Sequence, residues 1–308
     1  MYSKKNDQFS EIRAKINRPY IFFAILAAVL YAISTPLSKI LLDSLSPIYI
    51  AALLYLGAGI GMFVIGRIRK RTANHVPMKF TRDELPAVFG MIILDILAPI
   101  LLMVGLTTSN PENVALLNNF EIVATALFAF FIFKEAIPKR LRVAIVLVTI
   151  ASIILSIEDA AAFKFSFGSF LVILATVSWG LENNFTRKLS FNDPLVVVVI
   201  KGIFSGLGSL IIAFSFQATV WNPGLILLTM LLGFVAYGLS IFLYVTAQRE
   251  LGAAKTSTFY AFAPFVGAFL SLLIFREIPG LNFFIALLFM AVGSYYASTA
   301  GKTPSTTN

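Results

Sequence analysis

The sequence predicts an all-α membrane protein whose ten transmembrane helices form two inverted-topology repeats of five. Three observations predict it. Charged residues make up 13% of the chain and the mean hydropathy is +0.88, whereas a soluble globular domain carries about 25% charged residues. Apolar stretches near the ~20 residues that cross a bilayer recur from end to end, leaving no room for a separate soluble domain. Finally, Phe133-Lys134-Glu135 is echoed 142 residues later by Phe275-Arg276-Glu277.

Taken in order, residues 1–19 form a basic tail with Lys4, Lys5, Arg13, Lys15 and Arg18. A basic start before an apolar run has the form of a signal peptide. The run from Tyr20 continues past the 7–15 residues of a signal core, so it reads as an uncleaved first span. The ten predicted spans are 20–41, 47–66, 85–106, 112–133, 140–157, 167–186, 195–216, 223–246, 254–274 and 279–298. Polar breaks at Asp43–Ser46, Thr107–Pro111 and Gln217–Asn222 separate neighbouring spans. The longest loop, 67–84, carries Arg67, Arg69, Lys70, Arg71, Lys79 and Arg82. The first repeat covers 20–157, the second 167–298, and 299–308 is a short tail.

Orientation follows from the basic residues. With the N-terminus inside, 20 of the 24 Lys and Arg fall in inner segments, and only Lys164 and Arg276 fall outside. The positive-inside rule therefore places both termini in the cytoplasm. The net charge of +9 is a topology signal here rather than a nucleic-acid footprint. Five spans per repeat is an odd number, so the second copy enters the membrane in the opposite direction. Such inversion is a transporter architecture, because the two copies can exchange conformations.

Ionisable side chains are costly in a bilayer and face a cavity or a partner. Lys39, Asp95, Glu121, Glu182 and Lys201 lie inside spans. Counted from the span ends, Asp95 and Glu121 sit near the midplane with no cation at their depth. They are candidates for proton coupling, against the alternative of neutral, hydrogen-bonded helix contacts. Glu182 and Lys201 fall at matching depth on consecutive spans, as a structural ion pair would. Lys39, at the outer end of span one, is placed to snorkel to the interface.

Helical spacing groups the remaining polar residues on faces. Tyr31, Ser34, Thr35 and Ser38 share a face of span one, and Asn118, Glu121 and Thr125 a face of span four. Trp179, Glu182, Asn183 and Thr186 share one on span six, and Tyr237, Ser240, Tyr244 and Gln248 one on span eight. Each stripe alone could be helix–helix glue; four together favour a shared wet cavity. The expected substrate-binding set is Tyr31, Ser34, Asn118, Asn119, Glu121, Trp179, Asn183, Asn184, Tyr237, Ser240, Tyr244 and Tyr260. Pro36, Pro99 and Pro264 lie inside predicted spans and free the carbonyls of Ala32, Asp95 and Tyr260.

The chain has no Cys and a single His, His75, in the basic loop, so neither disulfides nor a His/Cys metal site is expected. No nucleotide-binding loop, zinc-protease or nucleophile-elbow motif is present, and no cofactor, metal or catalytic residue is expected.

With those residues in view, the chain resembles the EamA-type permeases of the drug/metabolite transporter superfamily. Glu135 and Glu277 resemble the glutamate that closes the same helix in both EamA repeats, and Ala263-Pro264-Phe265 resembles the repeat's proline. In the first half that slot is Ile122, preceded by Asn119-Phe120-Glu121, which departs from the proline form and resembles an Asn-Leu-Glu variant of one branch. Trp179-Gly-Leu-Glu-Asn-Asn-Phe-Thr-Arg-Lys188, Lys201-Gly202 and Tyr237-Gly238-Leu-Ser240 resemble the same branch. The resemblance implies a central cavity between spans one, three, four, six, eight and nine, and secondary transport.

The expectation is therefore a multi-pass permease of the cell (inner) membrane, not an enzyme. It would export a small polar or amphipathic metabolite, such as an amino acid, by alternating access with proton coupling. The rival reading is a polytopic enzyme acting on a lipid-linked substrate. Expected partners are the small-molecule substrate and the lipid bilayer, not nucleic acid, with a homodimer left open.

Overall fold

Proline marks where many of the helices begin. It lacks an N–H and has a fixed φ, so the first turn of a helix accepts it at no cost. Pro47, Pro111, Pro194 and Pro223 each open a helix, and Pro86 sits in the first turn of another. The computed structural model describes residues 19–70, 81–132, 134, 136–159, 164–189, 193–216, 220–251, 256 and 259–299. His75, Arg71, Lys79, Phe133, Glu135, Lys255 and both tails lie outside the described residues, as do the side chains of Lys164, Arg187, Gln248 and Arg249.

The described helices are α1 (Pro19–Leu41), α2 (Pro47–Lys70), α3 (Leu85–Thr107), α4 (Pro111–Phe131) and α5 (Lys139–Ser156), followed by α6 (Phe167–Leu189), α7 (Pro194–Phe216), α8 (Pro223–Ala247), α9 (Ala263–Phe275) and α10 (Leu281–Ser298). Seven of them, α1 to α4, α7, α8 and α10, are long and apolar enough to cross a membrane. The other three fall short for readable reasons. Lys139, Arg140 and Arg142 open α5, polar residues from Glu182 to Lys188 end α6, and α9 has only 13 residues.

The burial pattern is that of a multi-pass membrane protein. On α3, Ile93 and Leu97 are 61% and 45% exposed while Asp95 between them is fully buried. Water would reverse that arrangement. Large apolar side chains such as Phe89, Ile211, Phe214, Leu227 and Leu288 likewise face outward.

Inside, α2 packs on α7 and α8, α3 on α6 and α7, α4 on α6 and α9, and α5 on α10. The α2–α7 crossing is close enough to require glycine. A Cβ on Gly202 would lie 2.5 Å from the Gly59 Cα and 2.9 Å from the Tyr55 carbonyl oxygen. Small residues that let backbones touch are the usual means of helix association in lipid.

Several predicted spans are interrupted. A turn at Ile33 precedes Pro36 in α1, and the Ala32 carbonyl freed by that proline faces α9, where a Cβ on Gly267 would come within 3.2 Å of it. Predicted span four breaks at Asn118–Asn119 before helix resumes at Phe120. Predicted span nine has a turn at Ala261–Phe262, so Pro264 stands in the first turn of α9 instead of inside a helix. The two breaks fall at matching places in the two halves. One carries a proline and the other an asparagine pair. A π-helical turn, Phe234–Leu239, interrupts α8.

Among the described residues, two that are not glycine have positive φ: Lys134 at 58° and Arg276 at 54°. They are the middle residues of the two echoed motifs, and Arg276 ends α9 as its C-cap. The segment after α5, predicted as loop, forms a small antiparallel hairpin, Ile157–Asp159 with Lys164–Phe165. Strands of two and three residues are too short to show alternation in sequence.

Candidate functional site

Lys201 is the hub of a buried charged network. Its Nζ lies 3.1 Å from Asp95 Oδ2 and donates to Glu182 Oε1 at 3.2 Å. Asp95 Oδ1 accepts from the Tyr55 hydroxyl at 2.8 Å, and that hydroxyl accepts from Trp179 Nε1 at 3.2 Å. Thr186 donates to the same Glu182 oxygen. The chain Trp179, Tyr55, Asp95, Lys201, Glu182, Thr186 thus ties α2, α3, α6 and α7 together. Buried charges survive only when paired and hydrogen-bonded, and here each charge has at least two partners.

The expectation that Asp95 has no cation at its depth is corrected by this geometry. Counting residues from span ends locates a Cα; a lysine stem then carries its ammonium several ångströms along the helix. Asp95 and Glu182 therefore share one cation. Tyr55 was missed in the sequence. Its signal was a phenol near the middle of span two, where a buried hydroxyl needs a partner.

Glu121 has a separate setting. Asn183 Nδ2 donates to Glu121 Oε1 at 2.6 Å and approaches Thr125 Oγ1 at 3.4 Å. Asn184, next along α6, donates to the Gly180 carbonyl at 2.8 Å and the Thr125 carbonyl at 3.2 Å. Its amide hydrogens join α6 to α4, so it acts as a brace between helices. The break in α4 presents Asn118 and Asn119 there because neither is held in a continuous helix. Asn119 Oδ1 accepts from Ser294 Oγ at 3.4 Å, while Asn118 Oδ1 and Asn119 Nδ2 are buried without a partner among the described residues. Such groups call for a water or a ligand.

Tyrosines from four segments form a connected wall. Tyr55 contacts Tyr237 (ring centroids 5.5 Å apart), Tyr237 contacts Tyr31 (5.8 Å), Tyr31 contacts Tyr260 (5.9 Å) and Tyr260 contacts Tyr244 (4.8 Å). The π-helical turn of α8 carries Tyr237, which joins Tyr55 to Tyr31 in this row. Ser240 donates to the Ala27 carbonyl at 2.8 Å and so pins α8 to α1. Ser34 is buried on α1. Lys39 is partly exposed, as a side chain reaching the interface would be, and its Nζ donates to the carbonyls of Leu106, Thr107 and Ser109 at 2.7, 3.3 and 3.1 Å. It therefore caps the end of α3, where orphan carbonyls and the helix dipole favour a cation.

Among the described residues no group of three or more His, Cys, Asp or Glu is arranged to hold a metal ion. The arrangement offers an aromatic wall, amide donors and acceptors, and carboxylates inside a helical membrane bundle. Those are the elements with which a polar solute is held within a bilayer.

The fold is similar to a solved crystal structure that covers 94% of this chain and 99% of its own, with a TM-score of 0.66 at 16% identity. Over 295 residues the chain is 27% identical to a protein of Methanothermobacter thermautotrophicus described as an uncharacterized transporter, covering 90% of this chain and 85% of the relative. A second uncharacterized transporter, from Clostridium kluyveri, is 23% identical over 303 residues and covers 93% and 95% of the two chains. The EamA-like transporter family matches residues 18–157 and 166–299, one match on each side of the hairpin. A buried polar site in a multi-pass bundle, and a family match over nearly the whole length, lead to one statement: the chain belongs to the EamA-like transporter family of the drug/metabolite transporter superfamily.

Proposed function

We propose that the chain is a secondary transporter that exports a small polar or amphipathic metabolite, such as an amino acid, by alternating access with proton coupling. It works as two inverted repeats, 20–157 and 167–298, of five helices each, in the inner membrane with both termini in the cytoplasm. The observation that carries this reading is that the polar contacts of the site cross between the halves. Lys201 of the second half holds Asp95 of the first, and Asn183 of the second holds Glu121 of the first. A site at the interface of two repeats is exposed to either side as the repeats move against each other.

The matching breaks in predicted spans four and nine and the paired positive-φ residues Lys134 and Arg276 support a common origin of the two halves. The packing is consistent with it too, since α2 meets α7, α4 meets α9 and α5 meets α10. The distribution of Lys and Arg supports the orientation.

Tyr31, Tyr237, Tyr244, Tyr260 and Trp179 form the walls of the path. Asn118, Asn119 and Asn183 supply hydrogen bonds, and Asp95 and Glu121 exchange protons. Ser34 lies beside the wall, while Asn184 and Ser240 hold the helices that shape it. Glu182 and Lys201 hold the network in place.

The test is transport by purified protein in sealed proteoliposomes, with labelled amino acids and amines and an imposed pH gradient. A carrier moves intact label across the membrane. In Asp95→Asn and Glu121→Gln the dependence on the pH gradient should be lost. Retention of that dependence in both variants sinks the coupling assignment. Covalent change of the label without movement sinks the transport reading.

A further inference from the structure

A polar cavity lies at one end of the bundle, away from the Lys201 network. It has a volume of about 320 Å³ and is bordered by the end of α3, the start of α4, the end of α5, and the starts of α6 and α10. Glu112 lines it. This glutamate is only 1% exposed, and its Oε2 is buried with no hydrogen-bond partner among the described residues. Ser109, also lining the cavity, has a buried Oγ that likewise has no partner among them. An unpaired buried carboxylate oxygen is costly, and a donor from outside the protein relieves it. Lys39 acts on this carboxylate through its charge but gives it no hydrogen, because its three N–H donors go to backbone carbonyls.

The shape and lining narrow the donor. At ~30 Å³ of liquid volume per water the space holds roughly ten waters, far more than a bare ion needs. Asn110, Asn113 and Asn282 give amide groups, while Ile154, Leu155 and Phe283 give apolar surface. An ammonium head with a short apolar stem satisfies both kinds of wall and the carboxylate.

We propose that this cavity is a binding site, separate from the Asp95–Lys201–Glu182 cluster, for a small organic ammonium compound whose cationic head pairs with Glu112. The site stands independently of the transport reading, since it is defined by binding alone.

The test is calorimetric titration of the detergent-solubilised full chain with n-propylammonium chloride. The controls are n-propanol and sodium chloride at matched ionic strength. Wild type should bind propylammonium saturably and neither control. Affinity should fall about tenfold or more in Glu112→Gln, as loss of a charge-assisted hydrogen bond implies, and should be unchanged in Asp83→Asn, which removes an exposed carboxylate ahead of α3. Asn282 is exposed at the cavity rim, so Asn282→Trp should fold and should also weaken binding by obstructing the space. This second variant decides the matter if Glu112→Gln does not fold. Absence of saturable binding to wild type overturns the proposal. So does binding that persists in Glu112→Gln, binding that persists in Asn282→Trp, or binding lost in Asp83→Asn alone.

Discussion

At the scale of single residues, the Lys201 ammonium stands between two carboxylates that have 0% and 2% of their side chains exposed. Removing the cation leaves two acids facing each other without water. Lys201→Met should therefore lower stability by about 3–5 kcal/mol, the usual cost of breaking a buried pair from one side. Adding Asp95→Asn and Glu182→Gln to the same variant should restore most of that loss, since neutral partners no longer need a cation. Thermal unfolding in detergent reads both. Equal losses in the single and triple variants would show that Lys201 contributes packing rather than charge. Tyr55→Phe removes both a donor to Asp95 and an acceptor for Trp179, and should cost roughly 1–3 kcal/mol. Glu121, Glu182, Asn183 and Lys201 were legible in the sequence because charge or amide within an apolar run is conspicuous. Tyr55 was not, because a tyrosine in an apolar run is ordinary, and only its partner gives it meaning.

At the scale of elements, the sequence located most helix boundaries through proline and polar breaks, but it did not reveal how helices are interrupted. The break in α4 has no proline; Asn118 and Asn119 make it, and the spacing that puts Asn118 on a face with Glu121 and Thr125 assumes a continuous helix. The structure implies that proline is tolerated nearby. The amide of Ile122 bonds only to the Asn119 carbonyl, three residues back, in the first turn after the break. Ile122→Pro should therefore cost no more than about 1.5 kcal/mol. Ala126→Pro, four residues further into the same helix, should cost ~3 kcal/mol or more. A comparison of unfolding temperatures checks this, and similar losses would mean that the turn at Asn118–Asn119 does not relieve the helix. The positive-φ conformation of Lys134 and Arg276 was equally invisible in sequence, because a glycine usually advertises it and neither site has one. The hairpin after α5 was hidden by its shortness.

At the scale of the whole molecule, composition and charge placement fixed the class of the chain before any contact was known. Orientation was argued from Lys and Arg alone, and it can be checked cleanly because the chain has no Cys. A cysteine replacing Ser44, between α1 and α2, should react in intact cells with a membrane-impermeant maleimide. One replacing Asp83, ahead of α3, should react only after permeabilisation. Both positions are exposed. The opposite result would invert the topology and with it the direction assigned to export.

The α2–α7 crossing has one more consequence. Two rods whose backbones touch, as at Gly59 and Gly202, can turn about the point of contact but cannot be drawn apart without opening a void. For a given angle of turn, displacement grows with distance from that point. Lys201 is adjacent in sequence to Gly202, and Tyr55 offers its carbonyl to the same contact. In a rocking cycle the charged network therefore sits on the axle, where movement is smallest. The Glu121–Asn183 bond joins α4 to α6 beside another close approach, since a Cβ on Gly180 would lie 2.7 Å from the Thr125 amide nitrogen. By the same mechanical criterion both polar clusters sit where helices touch, and rocking would turn them more than it pulls them apart.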